Sequence, residues 1–158
     1  GNANTRMRKL EAGECDATLL ALAGLQRLGM EDVARSVLSV DEMLPAVAQG
    51  ALGIECREDD EAIRDLLAAV ACATTTIAVG AERALLAELD GSCRTPIAAL
   101  ARIEGDRLSL DGLLFLPDGS RHWAASRSGP VADAERIGRE AGAELKAAAG
   151  DTYRDRLQ

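Results

Sequence analysis

The stretch PIAALARIEGDRLSLDGLLFLPDGSRHWAASR, residues 96–127, predicts three β-strands joined by two tight turns. The turns Glu104-Gly105-Asp106 and Pro117-Asp118-Gly119-Ser120 combine glycine with aspartate or proline, as hairpin connections commonly do. The expected strands cover residues 96–103, 107–116 and 120–127. Because strands joined by such short turns pair antiparallel, the stretch indicates a three-stranded antiparallel sheet.

A helix is predicted on each side of the three strands. Residues 74–89 and 131–149 both place apolar side chains at helical spacing, which is typical of a helix with one buried face. The order α-β-β-β-α therefore predicts a small α+β domain with its helices on one face of the sheet. The apolar stripes are Ile77, Ala81, Ala84, Leu85 and Leu89 in the first helix, and Ile137, Ala141 and Leu145 in the second.

The first half of the chain predicts short helices and short strands in alternation. We expect helices over residues 5–12 and 59–70, and a helical turn over 23–29. Short strands are expected at residues 16–22 and 37–40, and another within 49–57. Such alternation indicates part of an α/β layer, so the predicted fold class combines α/β and α+β architecture.

Composition limits the classes of function. The 158 residues carry a formal net charge of −8, which argues against nucleic acid as a partner, because phosphate binding needs a basic surface. An anionic ligand would therefore be bound by a local cluster of arginine or lysine side chains. The sequence has no run of about 18 apolar residues, so we expect no membrane-spanning segment.

The cysteine pattern favours a reducing compartment. The four cysteines include no C-x-x-C pair and lack metal-type spacing, so no metal site and a cytoplasmic location are expected. The first residues are not a signal peptide and lack a starting methionine, so the chain is expected to begin in the middle of a longer protein. Three cysteines lie in apolar patterns and are expected to be unreactive core thiols, namely Cys15, Cys56 and Cys72.

Cys93 is the strongest candidate for a reactive group. It lies on a glycine-bounded turn between the predicted helix and the first strand, and Arg94 beside it would favour the nucleophilic thiolate. Such a thiolate could carry a covalent group, but it could also be a redox sensor or a small buried hydrophobe. His122, the only histidine, is far away in sequence, which argues against a Cys–His hydrolase. Glu82 and Arg83 lie on the long helix and are expected to anchor loops.

Three segments together resemble the porphobilinogen deaminases, also called hydroxymethylbilane synthases. GNANTRMRKL at residues 1–10 is similar to the family's R-G-N-x-x-T-R-L-x-K-L. LPAVAQGALGIECR at 44–57 is similar to L-P-A-x-G-Q-G-A-L-G-I-E. AER at 81–83 and LDGSCRTPI at 89–97 are similar to A-E-R followed by L-x-G-G-C-x-x-P-I. The chain departs from these motifs where Ala48 and Ser92 stand for glycine and where Arg94 stands for a common glutamine.

The resemblance implies a transferase. Members of the family polymerise four porphobilinogen molecules, with loss of ammonia, into hydroxymethylbilane on a covalently bound dipyrromethane primer. The resemblance places the thioether to this cofactor on Cys93. Sulfur suits the task, because a thiolate is a soft nucleophile that captures the electron-poor carbon left when ammonia departs.

The resemblance also implies which residues contact the cofactor. Its pyrroles carry acetate and propionate groups, and a guanidinium pairs a carboxylate through two hydrogen bonds. Arg6 matches the second arginine of the first motif, and Arg27 matches G-L-x-R-L-G at residues 24–29. The other expected contacts are Asn2 and Thr5, near a helix start, and the loop residue Gln49.

The family's architecture implies three segments in this chain. Residues 1–48 match the rear of a periplasmic-binding-protein-like α/β domain two, 49–72 a strand and helix returning to domain one, and 73–158 the cysteine-bearing C-terminal domain. Domain one, which holds the family's catalytic aspartate, is otherwise missing, so no catalytic residue is assigned. The alternative is a non-catalytic fragment that only binds an anionic ligand or only folds. The implied partners are porphobilinogen and the growing polypyrrole, and the full-length protein is expected to be a monomer.

Overall fold

The computed structural model describes residues 2–90 and 95–150, and the chain divides into two compact units, residues 1–43 and 44–158. The first unit contains helix α1 (Ala3–Glu11), helix α2 (Leu22–Arg27) and a 3-10 turn (Glu31–Val33). The second contains helix α3 (Glu61–Ala68), helix α4 (Ala73–Glu88), strands β1 (Ile97–Glu104), β2 (Arg107–Phe115) and β3 (His122–Pro130), a 3-10 turn (Val131–Asp133) and helix α5 (Ala134–Ala149). The predicted order α-β-β-β-α is confirmed.

Glycines end both helices of the first unit in the same way. After α1, Gly13 has a φ of 70° and donates to the carbonyl of Leu10, while Glu14 donates to Lys9. After α2, Gly29 has a φ of 64° and Met30 donates to the carbonyl of Leu25. This is the Schellman arrangement, which satisfies the last carbonyls of a helix and favours glycine at the left-handed position. The helix ends predicted from these glycines are therefore correct.

The predicted strands of the first half are wrong. Residues 16–21, 37–40 and 49–57 form no strand. A strand is stable only when a neighbour takes up its backbone hydrogen bonds, and residues 2–90 supply no ladder beyond one bridge between Ala46 and Ala98. The apolar runs that suggested strands are instead exposed, as Val37 at 63%, Leu52 at 94% and Ile54 at 63% illustrate.

Helix α3 is also exposed on its apolar side. Asp60 caps it by accepting a hydrogen bond from the backbone N–H of Ile63. Leu66 in this helix and Val70 just after its end are 68% and 70% exposed. Within residues 2–90 and 95–150 no single helix is long and apolar enough to cross a membrane, and the pair α3 and α4, which has that composition together, is bent by 107°.

The sheet has the order β1-β2-β3 and is antiparallel throughout. Ile97 is paired with Leu114, and Leu114 is paired in turn with Trp123. The two hairpin turns form where the sequence predicts them, with Gly105 at a φ of 62° and Gly119 at a φ of 70°. The predicted three-stranded antiparallel sheet is confirmed.

The core lies between α4 and α5 and one face of the sheet. Alternate residues of β1 and β2 are buried, and the predicted stripes of both helices face them, although Ile77 and Ala84 are only half-buried. Removing one fully buried leucine side chain from water stabilises a fold by about 1.5–3 kcal/mol, so a handful of them dominates the stability of this unit. The largest fully buried side chains are Leu85, Leu108, Leu110, Leu114 and Leu145.

Two glycines let α5 approach α4 closely. A Cβ atom on Gly138 would lie 2.1 Å from the carbonyl oxygen of Ala81, and one on Gly142 would lie 2.8 Å from that of Leu85. Such distances are shorter than any ordinary contact, so only glycine allows this packing. The approach fixes α4 against the sheet, and the segment with Cys93 follows the end of α4.

Candidate functional site

The amino end of α1 is a well-formed polar helix start. The Asn2 side chain accepts hydrogen bonds from the backbone N–H and the hydroxyl of Thr5, each at 2.9 Å. No acidic residue lies in the first turn of α1, so the positive end of the helix dipole is not neutralised from within the helix. This end of α1 therefore favours an anion.

Two exposed arginines lie in the same unit. Arg6 follows the first turn of α1, and one of its guanidinium nitrogens donates to the carbonyl of Leu19 at 3.4 Å. A guanidinium has five N–H donors, so most of its donors stay available. Arg27 ends α2, is exposed, and makes no hydrogen bond or ion pair with any residue of 2–90 or 95–150. Both side chains can therefore receive carboxylates.

Gln49 lies on a tight turn in the second unit. Its backbone N–H donates to the carbonyl of Ala46 at 3.0 Å, and the side chain is exposed. Ala48 has a φ of 59° and Gly50 a φ of 84°. Glycine would adopt the left-handed conformation of Ala48 more readily, because a Cβ makes this region unfavourable.

Glu82 holds this turn against the second unit. It is 5% exposed, and its two carboxylate oxygens accept hydrogen bonds from the backbone N–H groups of Ala48 at 2.7 Å and Ala101 at 2.9 Å. The prediction that Glu82 anchors a loop is therefore confirmed. Burying a carboxylate costs less free energy when backbone N–H donors replace the water molecules that it loses.

Cys93 lies outside the described residues, as do Ser92 and Arg94, but both flanks of the segment are firmly held. Before it, Lys146 on α5 donates to the carbonyl of Glu88 at 2.8 Å and pairs with the Asp90 carboxylate at 3.1 Å. After it, the carbonyl of Pro96 accepts a hydrogen bond from Phe115 at 3.0 Å. The ends of the cysteine segment are thus fixed by α5 and by β2.

Two of the three other thiols are not core residues, so that prediction is wrong for them. Cys56 and Cys72 are exposed, and Cys15 is half-buried. Cys72 directly precedes α4, and its sulfur lies 3.2 Å from the Thr74 hydroxyl. Hydrogen bonds from Thr74, and then from Thr75, lower the pKa of Cys72 to about 7, because they stabilise the thiolate.

We expect Cys72 to be alkylated rapidly at neutral pH. Its reaction rate with iodoacetamide should rise up to about pH 8 and then level off, because the thiol is half ionised near pH 7. Thr74→Val should move this profile to higher pH, since it removes the larger of the stabilising hydrogen bonds. Thr76→Val is the matched control, because the Thr76 hydroxyl donates to the Cys72 carbonyl and not to its sulfur. Identical profiles for Thr74→Val and the unaltered chain would contradict the assignment.

Comparison with known proteins decides the family. Residues 1–65 match the family model described as porphobilinogen deaminase, dipyromethane cofactor binding domain, and residues 76–147 match the one described as porphobilinogen deaminase, C-terminal domain. The chain belongs to the porphobilinogen deaminase family. The resemblance inferred from the three motifs is confirmed, and so is the fold class, the C-terminal α+β domain following the tail of a cofactor-binding domain.

Relatives in the porphobilinogen deaminase family come from bacteria and plants. The chain is 51% identical to porphobilinogen deaminase from Nitrobacter hamburgensis over 97% of this chain and 48% of that relative. It is 52% identical to the Paracoccus denitrificans protein over 98% of this chain and 50% of the relative. It is 53% identical to the chloroplastic protein of Oryza sativa subsp. japonica over 100% of this chain and 45% of the relative. The chain spans about half the length of the curated relatives it matches.

The residues present fit the dipyrromethane cofactor that the porphobilinogen deaminase family implies. A ligand rich in carboxylates needs cations and backbone N–H donors, and the first unit offers exposed Arg6 and Arg27 and the start of α1. Asn2 and Thr5 are hydrogen-bonded at that helix end, and the Arg6 backbone N–H donates to the Asn2 carbonyl at 3.1 Å. Gln49 and the flanks of the Cys93 segment belong to the second unit.

Sequence reasoning missed two features of the second unit. The salt bridge from Lys146 to Asp90 joins residues far apart in the chain, so no local sequence pattern predicts it. The low pKa of Cys72 could have been found from the run Cys72-Ala73-Thr74-Thr75, because hydroxyls two and three residues after a cysteine at a helix start can reach its sulfur.

Proposed function

We propose that this chain forms the primer-bearing part of a porphobilinogen deaminase, a transferase that joins four porphobilinogen molecules, with loss of ammonia, into hydroxymethylbilane. The observation that carries the proposal is the acid-free, Asn2-capped start of α1 beside the exposed Arg6, within residues that match the cofactor-binding domain of the family. When bound, the dipyrromethane group supplies the end from which the pyrrole chain grows. The proposed partners are porphobilinogen and the growing polypyrrole.

Each predicted site residue has a role in this proposal. The Cys93 thiolate forms the carbon–sulfur bond that fixes the primer, and Gln49 donates or accepts a hydrogen bond beside it. Arg6 and Arg27 neutralise carboxylates of the primer, and Asn2 and Thr5 shape the helix start that receives another. We further propose domain boundaries at residues 48 and 72, a cytoplasmic location and a monomeric full-length protein. The catalytic aspartate would lie in the family's first domain.

A second candidate function is a non-catalytic anion-binding module. The exposed side chains of Arg6 and Arg27 and the acid-free start of α1 support it, since they could hold an anion without any catalysis. The decisive experiment joins this chain to the remainder of the Nitrobacter hamburgensis relative, in place of the half it matches. We expect this hybrid to form hydroxymethylbilane from porphobilinogen. A hybrid that folds, binds porphobilinogen and produces no bilane would favour the module.

We expect the two arginines to matter individually in the hybrid. Arg6→Leu and Arg27→Leu should each reduce kcat/KM or the primer-loaded fraction by about 10–100-fold, because a hydrogen bond to a charged group contributes about 1.5–3 kcal/mol. Intact mass measures the loaded fraction, and a bilane assay measures the rate. Arg8→Leu and Arg35→Leu are matched controls, since both side chains are exposed in the same unit. Unchanged loading and kinetics in both test variants would remove these arginines from the site.

A further inference from the structure

Glu82 is the most deeply buried charged side chain among residues 2–90 and 95–150, and its two oxygens serve two separate segments. Oε2 accepts the Ala48 N–H at 2.7 Å, and Oε1 accepts the Ala101 N–H at 2.9 Å. No cation in those residues pairs with it. Among those residues the carboxylate therefore accepts hydrogen bonds from backbone groups alone, and it fixes the distance between the turn with Gln49 and the outer edge of β1.

At the outer edge of β1, a side-chain acceptor takes the place of a neighbouring strand. The carbonyl oxygen of Pro45 accepts a hydrogen bond from the Ala99 N–H at 3.0 Å, and Ala46 forms an isolated antiparallel β-bridge with Ala98. Successive donors on one side of a strand are two residues apart, so Ala101 carries the next outward N–H. The chain has turned away at that point, and Glu82 accepts this donor in place of a strand.

The turn itself depends on an external anchor. Within residues 46–51 its own hydrogen bonds run from Gln49 to Ala46 at 3.0 Å and from Ala51 to Ala48 at 3.2 Å. Ala48 adopts a left-handed conformation that is unfavourable for any residue with a Cβ. The hydrogen bond from Ala48 to Glu82 offsets this strain, and it involves the residue immediately before Gln49.

Holding both N–H groups requires a carboxylate at position 82, not merely a polar side chain. A carboxylate has two acceptor oxygens and can serve two N–H groups at once. A glutamine has one acceptor oxygen, and its amide nitrogen would face the second N–H. Glu82→Gln therefore retains the volume of the side chain and loses one of the two anchors.

We infer that Glu82 is a positioning residue for primer handling: by holding Ala48, it sets the orientation of the loop that presents Gln49. The inference rests on the proposed function, because the role of Gln49 at the primer comes from that proposal. Glu82 acts through the loop and does not touch the reacting atoms.

The first test measures the loop in the 158-residue chain. In Glu82→Gln, amide hydrogen exchange at Gln49 should be about tenfold faster, while exchange at Leu110 in the sheet stays within about twofold. Adding Ala48→Gly should restore part of the slow exchange, because glycine adopts the left-handed conformation without steric cost. Glu88→Gln, on the same helix, is the matched control and should leave Gln49 unchanged. Unchanged exchange at Gln49 in Glu82→Gln would overturn the inference.

The second test measures catalysis in the hybrid with the Nitrobacter hamburgensis relative. Glu82→Gln should lower kcat per primer-loaded enzyme about tenfold and leave KM within about twofold, because orientation of the primer is lost and substrate binding is not. A purely structural role would lower only the loaded fraction and leave kcat per loaded enzyme unchanged, which would overturn the inference. An inactive parent hybrid would count against the proposed function instead, and exchange at Gln49 would still decide whether Glu82 holds the loop.

Discussion

Gly138→Ala is expected to destabilise the second unit by about 3 kcal/mol or more, because one added methyl group must displace one helix from another. The new Cβ would lie 2.1 Å from the Ala81 carbonyl oxygen and 2.8 Å from the Cβ of Ala84. Neither atom is the end of a flexible side chain, so α5 itself must move. Since α5 covers β2 and β3, the whole core between helices and sheet is affected.

Thermal and urea unfolding followed by circular dichroism measure this effect. The expected fall in Tm is about 10 °C or more for a unit of this size. Gly80→Ala is the matched control on α4, because nothing lies within 4 Å of its added Cβ. It should stabilise the chain by about 0.5–1 kcal/mol through helix propensity. A Gly138→Ala variant as stable as the Gly80→Ala variant would contradict the close packing of α4 and α5.

Cys93→Ala has the largest expected effect on function. In the hybrid enzyme it should abolish attachment of the primer and reduce bilane formation by at least about 1,000-fold, because the nucleophile that we propose to form the thioether is removed. Cys56→Ala and Cys72→Ala are matched controls, since both thiols are exposed and neither is assigned a role. Normal bilane formation by Cys93→Ala would refute the assignment.

The second half of the fold could be predicted from local sequence because its signals are local. The glycine-bearing turns at Gly105 and Gly119 and the helical stripe ending at Leu145 each specify an element within a few residues. These elements pack on one another within the same 115-residue unit, so local preference and tertiary packing agree.

The first half could not be predicted as well, because strands depend on partners elsewhere. Leu52 and Ile54 have the apolar character of a strand, but no neighbouring strand is present among the described residues to accept their backbone hydrogen bonds. Helices α1 and α2 were predicted correctly, since a helix satisfies its hydrogen bonds within itself and here ends at glycine.

The candidate site also combines features that the sequence could predict with features that only the structure reveals. The three motifs were sufficient to identify the family, and they also supply the candidates Cys93 and Arg6, whose roles stay predictions. The double anchor formed by Glu82 joins residues 34 and 19 positions away, so it becomes visible only in three dimensions. The exposure of Cys72 likewise depends on the absence of any described segment packed over the start of α4.

We propose that one sulfur atom, that of Cys93, carries the dipyrromethane primer. Intact mass spectrometry of the active hybrid, followed by peptide mapping, tests it most directly. We expect one dipyrromethane unit per protein molecule, located on the peptide that contains Cys93, and no adduct on Cys15, Cys56 or Cys72. An enzyme that forms bilane with an unmodified Cys93 thiol would contradict the account.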